Sequence, residues 1–125
     1  MFRLLDHIDL RVANIAKVKP LYDALMHAYG LRAVRTEEKS VVYLRLKDRK
    51  AHEAFVLNEE SDHRPNGTRI AFGAESAADV DRIAARIAPF AHAYEAPHAC
   101  KEYTETYYAA FFEDAEGNKL EICFR

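Results

Sequence analysis

Apolar and polar residues alternate at both ends of this chain. In the closing segment Leu120, Ile122 and Phe124 are apolar, with Lys119, Glu121, Cys123 and Arg125 between them. Strand side chains point to opposite faces with period two, so this pattern predicts a half-buried strand with Glu121 on the face away from the apolar row. Near the start, Ile8, Leu10 and Val12 alternate with His7, Asp9 and Arg11 in the same way. A helix is predicted next, because Val18, Leu21, Tyr22, Leu25 and Tyr29 fall at helical spacing and Gly30 suits the position after a helix end. Proline lacks an N–H and fits only the first turn, so the main helix is expected to begin near Pro20, with "NIAKVK" as a preliminary turn. Three strands are predicted after it, over 31–36, 41–47 and 52–57. The polar, turn-rich "NEESDHRPNG" then reads as a connection.

The pattern restarts at "TRIAFGA", where Thr68, Ile70 and Phe72 alternate with Arg69, Ala71 and Gly73. Ser76 followed by Asp79 resembles a capping box. Val80, Ile83, Ala84 and Ile87 form an apolar helical stripe that Pro89 ends. Strands are predicted over 91–95, 107–113 and 119–124, and Gly117 in "DAEGN" supplies the positive φ of a short hairpin loop. The order strand–helix–strand–strand–strand therefore occurs twice, with His7 and Arg69 in corresponding places and a period of about sixty residues. The fold class is α+β, with two βαβββ modules over 1–57 and 67–125 and a linker over 58–66. One helix covers only one face of each small sheet. Pairing the two halves would give a cleft lined by His7, Asp9, Arg11, Arg69, Ala71, Glu121 and Cys123.

Composition narrows the function classes. The 125 residues suit a single domain, half of them hydrophobic and 30% charged, which argues against disorder. The net charge of −2 is spread along the chain without a basic stripe, so nucleic acid is not an expected partner. No apolar run approaches the ~20 residues of a membrane span, and charges within "MFRLLDHIDL" argue against a secretion signal. Cys100 and Cys123 form neither a CxxC pair nor a disulfide framework, so a reducing cytoplasm is the expected location. No P-loop, GxGxxG or Ser-His-Asp pattern is present.

Three stretches resemble a known family. "LDHIDLRVANIAKVKPLYDALM", "NGTRIAFGAESAADVDRI" and "YYAAFFEDAEGNKLEI" are similar to the first module, the second module and the closing hairpin of the glyoxalase/bleomycin resistance/extradiol dioxygenase (vicinal oxygen chelate) superfamily. The closing hairpin is the most specific of the three, and the resemblance covers nearly the whole chain. It implies two βαβββ modules forming a curled mixed sheet around a cleft, and in many members a homodimer. In metal-dependent members it implies a divalent ion held by His or Glu on corresponding strands. Carried over, the first-strand ligand matches His7 and the last-strand ligand matches Glu121. The ligand of the second module's first strand falls on Arg69, which cannot ligate because it stays protonated. For the fourth strand Glu53 is the nearest candidate.

Two function classes follow from this resemblance. His7 and Glu121 favour a metal-dependent lyase or dioxygenase, akin to lactoylglutathione lyase, with Zn, Ni, Mn or Fe as the ion and Glu121 as ligand and base. Arg69 favours a metal-free protein that binds a small organic molecule. There Arg69 takes the ion's place, pairs with Glu121, and offers a fork for a carboxylate or phosphate. Arg69, Tyr107 and Cys123 are the candidate ligand-binding residues, and no cofactor is required. The bland alternatives are that these are ordinary residues of a solvated sheet face and that Tyr103, Tyr107 and Tyr108 belong to the core. His27, His52, His63 and His92 are scattered in the manner of surface residues. His98 and Cys100 lie in the turn-rich "EAPHACKEYTET", a weak metal signal and a candidate loop over a cleft. Cys123 has no evident basic neighbour in the sequence to activate it as a nucleophile.

Overall fold

The computed structural model describes residues 4–47 and 50–125, the side chains of 47 and 50–52 excepted. His52, read above as a surface residue, has its side chain outside the described residues. The chain divides into two compact units, Met1–Arg64 and Pro65–Arg125. In the first, β1 (His7–Val12) leads into α1 (Ile15–Ala28), then β2 (Arg32–Glu37), β3 (Ser40–Lys47) and β4 (Lys50–Glu59). In the second, β5 (Arg69–Gly73) leads into α2 (Ala77–Ile87), a single 3₁₀ turn (Ala88–Phe90), β6 (His92–Ala99), β7 (Tyr108–Glu113) and β8 (Lys119–Phe124). The sheets have matching strand orders, β1-β4-β3-β2 and β5-β8-β7-β6, each with one parallel pair made by its first and last strands. A parallel pair needs a long crossover, which the helix and the two intervening strands supply.

α1 departs from its expected start. It begins at Ile15 rather than near Pro20, and Pro20 lies inside it. The start is fixed by two side chains: Asn14 accepts from the N–H of Lys17 at 3.2 Å, and Glu59 accepts from the N–H of Ile15 at 2.8 Å. Pro20 and Ala16, four residues before it, are both exposed, so water can reach the carbonyl that Pro20 leaves unbonded. Leu21, Tyr22, Leu25 and Met26 pack beneath, and Tyr22 stacks on Phe55 with ring centroids 5.7 Å apart. β4 also runs further than expected, into the stretch read as linker, because Asn58 and Glu59 pair with Arg11 and Val12 of β1. β6 is longer than expected too. It crosses two register shifts, and Ala93 there has a positive φ of 45°.

In the second unit Val80, Ile83, Ala84 and Ile87 of α2 are buried, as are Ala110, Phe112, Leu120 and Ile122 of the sheet. Ser76 accepts from the N–H of Asp79 at 3.1 Å and caps α2. The β7–β8 loop is held by Asp114, which is 1% exposed. Its carboxylate accepts from the backbone of Glu116 and Asn118 and from the Asn118 side chain, at 2.9, 3.1 and 2.8 Å. Gly117 takes φ +94°, the left-handed conformation expected of it.

Candidate functional site

With Leu120 and Ile122 buried beside α2, β8 presents Lys119, Glu121 and Cys123 on its other face. The register places Ala71 beside Glu121 on one side and Phe111 on the other. Ala109 flanks Cys123. Glu121 is not solvated: it is 5% exposed. Its Oε2 accepts a hydrogen bond from the hydroxyl of Tyr107, which is itself buried. Cys100, Tyr107, Ala109 and Phe111 form a second small core on this face, with Cys123 against it. A carboxylate enclosed by such a cluster needs a donor, and Tyr107 supplies it.

The surroundings combine aromatic rings with charge. The edge of Tyr103 meets Tyr107, with ring centroids 5.1 Å apart. The Arg125 guanidinium lies over the Tyr107 ring at 5.2 Å, and that of Arg69 lies over Phe111 at 5.1 Å. A cavity of about 460 Å³ opens here, lined by Glu102, Tyr103, Thr104, Tyr107, Glu121 and Arg125. The Thr104 hydroxyl oxygen is buried and has no hydrogen-bond partner among the described residues. Burial, followed by hydrogen bonds with the Cys123 thiol and Glu121, pushes the Tyr107 hydroxyl well above its ordinary pKa, so it stays protonated. Burial first, then Glu102, Glu121 and Glu95, push the Cys100 thiol upward. An activated cysteine nucleophile needs the opposite shift.

The expected site residues are thus partly gathered. Glu121, Tyr107 and Cys123 come together on one face of the second unit. Arg69 shares that face, yet among the described residues no ion pair joins it to Glu121. The reason is lateral: its register partner on β8 is Lys119 rather than Glu121, and the Phe111 ring lies within reach of its guanidinium. In the first unit His7 is exposed and its Nδ1 lies 2.8 Å from Asp6. Its neighbours in that unit include Asp9, which binds Arg11 and Asn58. Glu53 does not share the His7 face. His7 pairs with Ala54, so Glu53 projects with Phe55 to the α1 side, where it accepts from Arg45 at 3.1 Å.

Sequence reasoning missed Glu102, Thr104 and Arg125 as parts of a cavity wall. Only the turn-rich stretch before β7 hinted at a loop beside the site. The first unit holds a smaller cavity of about 340 Å³, lined by Lys19, Asp23, His27, Leu31, Arg32, Ala33 and Tyr43. There both Asp23 oxygens are engaged, by the Tyr43 hydroxyl at 2.7 Å and by Lys19 at 2.8 Å, which pins α1 to β3.

A divalent ion does not fit this donor set. Among the described residues no three His, Cys, Asp or Glu side chains converge to hold a metal. Position 69 carries a permanent cation, and the Glu121 carboxylate is engaged by a hydroxyl.

The model of the Glyoxalase/Bleomycin resistance protein/Dioxygenase superfamily matches residues 4–122. The chain belongs to this superfamily. Solved structures agree in fold. A glyoxalase/bleomycin resistance protein from Albidiferax ferrireducens superposes with a TM-score of 0.73 at 22% identity, over 98% of this chain and 99% of that one. The fosfomycin resistance protein FosX from Listeria monocytogenes gives 0.71 at 17%, over 100% and 95%. Lactoylglutathione lyase from Agrobacterium tumefaciens gives 0.66 at 16%, over 96% and 92%. No curated protein matches the chain. The repeated βαβββ pattern of the superfamily is the one seen here. Among the described residues, no helix is long and apolar enough to cross a membrane.

Proposed function

We propose that this chain is a small-molecule-binding member of the superfamily that works without a resident divalent ion, and that its ligand docks in the cavity over Tyr107 and Glu121. The observation that carries this reading is the state of Glu121. The residue that matches the family's last-strand ligand is buried and bonded to a tyrosine hydroxyl. Beside it, the exposed Arg125 guanidinium offers donors that an organic ligand can satisfy. The solved neighbours include a resistance protein and a lyase, so family membership does not choose between binding and turnover. If the bound molecule is also transformed, Glu121 is the group on this face that accepts a proton. Tyr107, held protonated, keeps its hydrogen bond to Glu121 and orients that carboxylate. A homodimer in the cytoplasm belongs to this proposal as well. Sedimentation at twice the 14.3 kDa chain mass supports the dimer, and sedimentation at that mass rejects it.

The test has two arms. Calorimetry with zinc, nickel and manganese is expected to show no stoichiometric site that Glu121→Ala abolishes. Such a site would favour the metal-dependent lyase or dioxygenase that uses His7 and Glu121. A screen of small organic molecules by amide NMR is expected to move Tyr103, Thr104 and Tyr107. Hits confined to the first unit would refute the location.

A further inference from the structure

Arg69 led us to expect an anionic ligand, but the lining of the second-unit cavity has the opposite character. Two carboxylates, Glu102 and Glu121, border it, and neither has an ion-pair partner among the described residues. Tyr103 is 56% exposed and presents its ring beside them. The one cation in the wall, Arg125, is spread over the Tyr107 ring rather than bound to either carboxylate. Arg69 makes the same choice over Phe111. The aromatic faces of this surface thus attract cations from the chain itself, as the negative potential above a ring requires. Burial is the largest cause of the upward push on the Cys100 thiol, and Glu102, Glu121 and Glu95 add to it in the direction expected of a negative field beside the cavity.

We propose that the ligand of this cavity is a small organic cation, an amine with an apolar or aromatic body. The ammonium would sit against the Tyr103 ring between Glu102 and Glu121, with its body along Tyr107. Arg125 is exposed and lies at the end of β8, so it can yield the ring face to a ligand that brings its own charge.

This inference rests on the binding reading above, and its test separates the two. Benzylamine, benzyl alcohol and benzoate share one ring and differ in charge, and each is titrated into the native protein with amide shifts as the readout. Benzylamine is expected to bind best at Tyr103, Thr104 and Tyr107. Its preference over benzyl alcohol should fall about tenfold in Glu121→Gln, which keeps an acceptor for Tyr107 but loses the charge. Tyr103→Leu, at an exposed position that leaves folding intact, should weaken benzylamine about threefold while leaving benzyl alcohol nearly unchanged. Benzoate or benzyl alcohol binding at these residues as well as benzylamine overturns the cation and leaves the binding site standing. Absence of all three from the cavity at roughly 10 mM overturns both.

Discussion

Tyr107 and Glu121 are a residue pair in which neither member is neutral to remove. In Tyr107→Phe the carboxylate stays buried and loses its donor, so the variant should be destabilised by about 1–3 kcal/mol in urea unfolding. Glu121→Gln keeps an acceptor opposite the hydroxyl and should cost less. The pH dependence has a definite sign. The folded pKa of Tyr107 is raised above its unfolded value by burial, Cys123 and Glu121, and that of Tyr43 is raised by burial and Asp23. A raised pKa means the folded state favours the protonated form. The stability from these groups is therefore complete below about pH 10 and is lost as pH climbs toward the folded values. The buried Cys100 thiol acts in the same direction, from an ordinary value of 9.0. Urea midpoints should fall between about pH 8 and about pH 11, and the fall should be shallower in Tyr107→Phe. A midpoint that is flat across that range, or equally steep in the variant, contradicts the assignment.

At the scale of elements, α1 shows a local rule overridden by its surroundings. Proline inside a helix removes a hydrogen bond, and that rule outweighed the one stripe residue upstream of Pro20, Val18, in setting the expected start. The extra turn exists because Asn14 and Glu59 occupy its free N–H groups and because Ile15 and Val18 are buried. Glu59 comes from the end of β4, 44 positions away, and a pattern read along the chain does not contain that partner. Two substitutions separate the effects. Pro20→Ala restores an N–H on an exposed face and should stabilise the protein by about 1–3 kcal/mol. Asn14→Ala removes the cap and should cost about 1 kcal/mol. Thermal unfolding of both, with the double variant as a check on additivity, tests the account. A Pro20→Ala protein no more stable than native would show that the helix gains nothing from the restored bond.

For the whole molecule, the repeated βαβββ order was readable because hydrophobic alternation and helical spacing are local signals, and both units repeat them. The site was readable only as a face. Alternation put Glu121 and Arg69 on one side of their strands but was silent on lateral neighbours. The sheet register decided that Arg69 meets Phe111 and Glu121 meets Tyr107. Arg69 is still where this chain departs from the ligand pattern it resembles, and one substitution tests what the departure does. Arg69→His removes a permanent cation from the face that carries Glu121 and restores a group able to donate a lone pair. The variant loses a ring contact worth about 0.5–1 kcal/mol at an exposed position, so it should fold. Calorimetry with zinc, nickel and manganese should show stronger binding to Arg69→His than to the native protein. The gain should vanish in Arg69→His with Glu121→Ala, and His7→Ala reports whether the first unit contributes a ligand. Equal, weak binding by the native protein and Arg69→His would mean that the cation at position 69 is not what keeps the metal away, and the engagement of Glu121 by Tyr107 would then be the barrier to remove next.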